Sequence, residues 1–216
     1  MRLRLAGVTR AVVVAPHPDD EVIGAAALIA ALRRQGSHVA VIVVSDGAAS
    51  HPDSAAWPRP RLIAARERES RYALRRLRVG RRDVTFLRLP DGALPAQQDR
   101  CHQRLDRGLR RLGRIDLLVG PAASDAHPDH RAVAAVLARF RFAGRRLAYR
   151  VWPPQRATGH RCRCISLPGG AAAKRSLIGT HRTQLGAIRD DPQGFTIARH
   201  ELAVFAHPVE RFVEGR

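Results

Sequence analysis

Two short segments concentrate side chains of the kind that carry hydrolytic chemistry: His17-Pro18-Asp19-Asp20-Glu21 and His127-Pro128-Asp129-His130. His17, Asp20 and His130 offer two imidazoles and a carboxylate, a ligand set that catalytic zinc uses with a fourth position left for water. Zinc held this way lowers the pKa of its water toward ~7, supplying a nucleophile at neutral pH. Asp19 is then a spare carboxylate, free to act as general base. His127, protonated when substrate binds, is a candidate for stabilising an oxyanion. The proline beside each first histidine stiffens the loop that carries the ligands. Taken one at a time these residues have plainer readings: Asp19, Asp20 or Asp129 as helix N-caps, and the histidines as ordinary loop residues. The recurrence of the pattern after two separate strands favours metal chemistry. Two imidazoles and one carboxylate with open positions suit iron(II) as well as zinc.

The elements that must position these groups are legible as alternating apolar runs and helical patterns. Short β-branched runs at 11–15, 39–45, 84–89, 115–120 and 147–152 read as buried strands. Stretches at 22–35, 59–78, 103–112 and 132–140 read as helices, the first closed by Gly36 and the second carrying Leu62, Ala65, Tyr72 and Leu77 near helical spacing. Strands apolar along their whole length, alternating with helices, call for a parallel sheet covered on both faces. A strand order of 3-2-1-4-5 sets strands one and four side by side, and their carboxyl ends form the crevice where such sheets bind ligands. Both His/Asp segments then converge on one spot. After Pro153-Pro154 the rhythm changes, with a strand expected at 162–167, a helix at 174–188 and a last strand at 202–206. The expectation is one domain over 1–216, a core over 1–152 with a C-terminal elaboration over 153–216.

The formal net charge of +19 raises nucleic acid or an anionic surface as partners. Nearly all of that charge is Arg, with Lys174 the one lysine, and the Arg residues are spread along the chain. A basic surface is therefore favoured over a nucleic-acid function. No apolar run reaches the ~20 residues of a membrane span, and the N-terminal apolar run reads as a first strand, not a targeting segment. Three cysteines without framework spacing fit a reducing, cytoplasmic setting. His160, Cys162 and Cys164 form only a weak candidate for a metal clip.

The two His/Asp motifs also resemble the signature of the LmbE/PIG-L zinc deacetylases. The likeness extends to Ser45-Asp46-Gly47, Arg66 and Glu69, Leu89-Pro90-Asp91-Gly92, and Lys174 with His181-Arg182-Thr183-Gln184. It implies a Rossmann-like three-layer α/β fold with a mostly parallel sheet, and zinc on His17, Asp20 and His130. It further implies Asp19 as base, His127 as electrostatic partner, and an N-acetylglucosamine conjugate deacetylated to the amine. The chain departs from the pattern at Pro16, where Ala is usual, and at Ala126, where Gly is common. Arg66 and Asp91 are candidates for gripping sugar hydroxyls. Arg66 with Glu69 also reads as a surface pair, Asp91-Gly92 as a turn, and His181 and Gln184 as a solvated helix face. His51 lies in a Pro/Ser-rich loop that reads as a mobile lid. The alternatives are a zinc amidohydrolase acting on a non-sugar or antibiotic-type amide, and a basic nucleic-acid-binding protein on a degenerate fold.

Overall fold

The computed structural model describes residues 1–153 and 162–215. The alternating first part runs β1 (Arg10–Ala15), α1 (Asp20–Arg34), β2 (His38–Ser45), α2 (Arg59–Arg76), β3 (Val84–Leu89), α3 (Gln98–Arg111), β4 (Leu117–Pro121), α4 (Pro128–Arg139) and β5 (Arg145–Tyr149). It is followed by β6 (Cys162–Ser166), α5 (Gly170–Ile178), α6 (Arg199–Phe205) and β7 (Val209–Glu214). The seven strands form one sheet in the order β3-β2-β1-β4-β5-β7-β6. Strands β1 to β5 are parallel, in the expected 3-2-1-4-5 order, and β7 runs antiparallel between β5 and β6.

Strand periodicity explains why helices cover both faces. In β1 and β2, Val13, Ala15, Val39 and Val41 point into the core beneath α1, whereas Val12, Val14, Ala40 and Ile42 point into the one beneath α3 and α4. Residues two apart share a face, so a run of consecutive apolar residues has two faces to bury. Helix α1 comes so close to the sheet that a Cβ on Gly24 would lie 2.3 Å from the Tyr149 ring. The Tyr149 hydroxyl donates to the carbonyl of Val14 at 2.8 Å, satisfying its polar atom inside the core.

Three expectations fail in detail. The stretch at 202–206, read as a strand, is the second half of α6 with its C-cap, Ala206. Glu201 accepts the Ala198 N–H at 2.8 Å, which ties down a donor the helix start leaves free. The last strand is Val209–Glu214, whose polar Glu210 faces inward and masks the pattern. The helix expected at 174–188 ends at Ile178, and a short 3-10 turn, Arg182–Gln184, follows. Tyr72, placed on the apolar stripe of α2, is half exposed.

The C-terminal elements grip α1 through its middle. The Glu210 carboxylate accepts N–H groups from Ala27 at 2.8 Å and Leu28 at 3.1 Å. Lys174 pairs with Glu210 and donates to the carbonyl of Ile23 at 3.0 Å. In an unbroken helix Ile23 O faces the Ala27 N–H, so an ion pair is inserted into one turn of the ladder and satisfies both ends of it.

Candidate metal and catalytic site

The first motif lies where β1 ends and α1 begins, and the second where α4 begins after β4. Because β1 and β4 are hydrogen-bonded neighbours, the two loops meet at the carboxyl edge of the sheet. Asp19 carries the bend: its φ of 127° is one that L-residues rarely adopt. It is held there by its own N–H donating to Glu21 Oε2 at 2.9 Å, and by its carbonyl accepting the first-turn N–H groups of Val22 and Ile23, each at 2.9 Å. Strain of this kind costs ~1–3 kcal/mol and persists only where neighbours over-determine it.

His17 Nδ1, His130 Nε2 and Asp20 Oδ2 form a triangle with all three edges 3.2 Å long. The ligand atoms of a tetrahedral zinc with bonds of ~2.0–2.1 Å stand about 3.3 Å apart, so this donor set fits such an ion. Each of the two rings also has a carboxylate on its outer side. His130 Nδ1 lies 3.1 Å from Asp125 Oδ2, off the line of an ideal hydrogen bond. His17 Nε2 lies 3.1 Å from Asp91 Oδ1 and 3.2 Å from Asp129 Oδ2. A proton on each outer nitrogen leaves the inner nitrogens as bare acceptors aimed at a common centre, the arrangement that metal-binding imidazoles adopt. His17, His127 and His130 also come close enough together to share an ion. Burial opposes a charge on His130, but Asp20 and Asp125 outweigh it and push its pKa up to about 9. On His17 burial is likewise overcome, by Asp129, Asp20 and Asp91, and its pKa stands well above the usual value. Such surroundings favour positive charge at the cluster.

Asp19 caps α1 by position only, since its side chain makes no capping bond. Its carboxylate instead meets Arg66 Nη2 at 3.2 Å. Arg66 is itself fixed by the carbonyls of Gly47 and Pro18, each at 2.7 Å. Gly47 is required there twice over, for its φ of 69° and because a Cβ would lie 2.6 Å from the guanidinium. Burial pushes the Asp19 carboxyl up to about 8, with Arg66 opposing and Asp20 and Glu21 adding to the rise. Asp129 is no cap either; its carboxylate accepts from Gly92 N at 2.8 Å and Leu94 N at 3.2 Å. The cap of α4 is His127, whose Nδ1 accepts the Asp129 N–H at 3.2 Å. That bond puts the proton of the neutral ring on Nε2. Burial, with His17 and His130, holds the His127 pKa below the usual value. With Nδ1 engaged by that N–H, Nε2 is the nitrogen of His127 left to donate.

The other candidates find definite places. Arg66 is buried and faces the site, whereas Glu69 turns to the N–H and hydroxyl of Thr183 at 3.0 and 2.7 Å, so the two are not a surface pair. Asp91 accepts the Ala49 N–H at 3.0 Å through Oδ2 while Oδ1 rests on His17. His181 and Gln184 are buried, not solvated. Gln184 lines the cavity, and His181 Nε2 lies 3.8 Å from Glu21 Oε1. The loop carrying His51 is stitched to 190–195: Phe195 N donates to Ser50 O at 2.6 Å, Asp53 N to Asp191 at 3.1 Å and Ser54 to Asp190 at 2.7 Å. It is a fastened wall, not the free lid expected. Of the suggested metal clip, His160 lies outside the described residues, and neither Cys162 nor Cys164 joins a metal-ligand cluster among the described residues.

Sequence reasoning missed Asp125, Trp152, Phe195 and Ile197. Asp125 Oδ2, besides meeting His130, accepts the N–H groups of Val151 at 2.7 Å and Trp152 at 3.1 Å. A cavity of ≈ 350 Å³ opens over the cluster, with His17, Asp19 and His127 on its floor and Trp152, Phe195 and Ile197 in its wall. That volume falls within the ~300–1,000 Å³ of small-molecule sites. Only the Asp two residues before His127 carried any local signal; the aromatic wall is assembled from distant segments.

The fold is that of known deacetylases and of one hydratase. The N,N'-diacetylchitobiose deacetylase from Pyrococcus horikoshii superposes with a TM-score of 0.71 at 21% identity, over 85% of this chain and 73% of that one. The zinc-inhibited form of a teicoplanin deacetylase gives 0.66 at 19% identity, over 95% and 97%. The 4-carboxy-2-hydroxymuconate hydratase from Pseudomonas putida KT2440 gives 0.66 at 17% identity, over 95% of each chain. At these identities the likeness establishes the fold. No curated protein is similar enough to count as a match. The family model described as PIG-L, GlcNAc-PI de-N-acetylase, matches residues 12–140, more than half of the chain and both His/Asp motifs. The chain belongs to that family.

Proposed function

We propose that this chain is a zinc-dependent N-deacetylase that removes an N-acetyl or other N-acyl group from an amino-sugar conjugate. His17, Asp20 and His130 hold the ion in this reading, with iron(II) as the alternative occupant. The observation that carries it is the 3.2 Å triangle of lone-pair donors standing beside an arginine-held carboxylate on the floor of a cavity. Family membership and the deacetylases of the same fold support the choice of an amide as substrate.

A divalent ion bound there supplies Lewis acidity, making water acidic and polarising the amide carbonyl. Asp19 takes the proton of the attacking water and returns it to the amine nitrogen as the C–N bond breaks, releasing a carboxylate and a free amine. Arg66 keeps the Asp19 carboxylate turned toward the cluster, and Glu21 holds its backbone. His127 donates from Nε2 to the oxygen that gains charge, a hydrogen bond that strengthens as that charge develops.

The test is metal content with amine release from N-acetylglucosamine conjugates. Asp19→Asn keeps about one metal per chain and loses ~10²–10⁴-fold in turnover; full turnover would remove Asp19 from the role. His130→Ala loses the metal, and retention of a full equivalent would show the ligand set to be wrong.

A further inference from the structure

We propose that the wall formed by Trp152, Phe195 and Ile197 is a subsite for an apolar substituent, so that the substrate is an amino-sugar amide bearing an alkyl or aryl group. This rests on the deacetylase reading of the same site and narrows it. The chain is poor in aromatics, with two Trp, two Tyr and six Phe in 216 residues. Two of those ten, Trp152 and Phe195, line this cavity, and a third, the buried Phe205, packs against Trp152. Trp152 stands edge-on to Phe195 at 6.0 Å and to Phe205 at 5.3 Å, with interplanar angles of 83° and 88°. Rings in such T-shaped contact brace one another, and a braced ring is already in place when a ligand arrives.

The wall is also tied to the chemistry. The Asp125 oxygen that stands beside His130 accepts the Trp152 N–H, and the Ala126 N–H donates to the Trp152 carbonyl at 2.9 Å. The opposite side is anchored through Phe195 N on Ser50 O and through Ile197 N on Gln184 O at 2.9 Å, and both Ser50 and Gln184 face the cavity. Phe195 nonetheless keeps 39% of its surface exposed. An aromatic ring bonded into position at the mouth of a site, yet left open to water, gains by covering itself with an apolar ligand group. The polar lining, Ser50, Arg66, Asp91 and Gln184, suits hydroxyls and the amide; nothing polar is offered by Trp152, Phe195 and Ile197 beyond the indole N–H.

An apolar group reaches this wall from either end of the substrate, as the aglycone or as a longer acyl chain. Amine release is therefore compared for four substrates: N-acetylglucosamine, its methyl glycoside, its hexyl glycoside and N-hexanoylglucosamine. We expect kcat/KM at least about tenfold higher for one of the two hexyl compounds than for the methyl glycoside, and the compound that gains names the source. Trp152→Ala and Phe195→Ala bring that ratio close to one, while Trp152→Phe and Phe195→Leu, which keep an apolar surface, preserve most of it. Release from all four at equal kcat/KM in the wild type overturns the subsite and leaves the deacetylase intact. A ratio unaffected by either alanine variant also overturns it. Release from none of the four overturns the deacetylase reading and the subsite with it.

Discussion

Asp125 shows how one carboxylate sets the properties of a site it does not belong to. Oδ1 accepts the backbone N–H of His127 at 3.0 Å, while Oδ2 stands 3.1 Å from His130 and takes two further N–H groups. An anionic partner on the far nitrogen of a ligating imidazole raises its basicity and fixes its tautomer, and removing such a partner costs ~10–100-fold in metal affinity. Asp125→Asn keeps the shape and one acceptor oxygen. It is expected to fold and to bind metal about 10–100-fold more weakly, read by competition with a chelator; unchanged affinity would show that His130 is positioned without it. A second residue-scale effect concerns His181, fully buried, with neither ring nitrogen hydrogen-bonded among the described residues. Burial, with Arg66, pushes its pKa down to about 3 although Asp20 opposes this. In the unfolded chain a histidine titrates near ~6.5. Between those values the unfolded state binds the extra proton, so this stability is present above pH ~6.5 and falls away as the pH drops. From pH 6.5 to 5 the loss is about 2 kcal/mol, at ~1.4 kcal/mol per unit. His181→Asn should remove that part of the acid slope in urea titrations, whatever it does to stability at neutral pH. A variant with the same acid slope as wild type would show that the ring is not held neutral.

At the scale of elements, the ion pair threaded into α1 decides how the C-terminal region supports the site. Lys174 is fully buried and Glu210 nearly so. Breaking a buried pair by removing one partner leaves an uncompensated charge and typically costs ~3–5 kcal/mol. Lys174→Met is expected to lose about that much stability in urea unfolding, and Lys174→Arg to lose stability as well. The guanidinium is larger and planar, and the enclosed space here fits a compact ammonium. The double variant Lys174→Met, Glu210→Gln should lose clearly less than the sum of the singles; additive losses would mean that the two residues do not act as a pair. Lys174 was legible as part of a family pattern, but its partner was not. Glu210 sits in a strand whose inward charge hides the alternation, and pairing 36 residues apart leaves no local trace. The inner parallel strands β1, β2 and β4 were legible for the opposite reason: buried on both faces, they are apolar along nearly their whole length, as in the AVVVA of β1. The residues of the proposed ligand set were equally easy to pick out, because each half lies in four or five consecutive residues after a strand. What surrounds it, Asp125 excepted, comes from segments that only the fold brings near.

Across the whole molecule the charge is less even than the sequence reading assumed. Between Arg59 and Arg88 the chain holds eleven Arg against three acidic residues. The fold lays this segment along α2 and the edge strand β3, where Arg68, Arg71, Arg75 and Arg81 line a surface depression of ≈ 1000 Å³ away from the His/Asp cluster. Arg88 is taken up by Glu67, Arg71 lies over the Phe86 ring at 4.7 Å, and Arg75 lies over Tyr72 at 5.3 Å. Lys and Arg that neutralise phosphates release counterions, so binding driven by charge alone falls steeply with salt and ignores base sequence. A protein of this charge should therefore associate with duplex DNA at low ionic strength, without preference between sequences, and lose nearly all of it by physiological salt. Replacing Arg68, Arg75 and Arg81 together by Gln should flatten the salt dependence by about three units of log–log slope if each meets a phosphate. A filter-binding titration across salt concentrations decides the matter. Tight binding that survives physiological salt and discriminates between sequences would favour a nucleic-acid protein on this fold. Weak, salt-sensitive binding of any duplex leaves the basic face as a solvated surface and the chemistry at the carboxyl edge of the sheet.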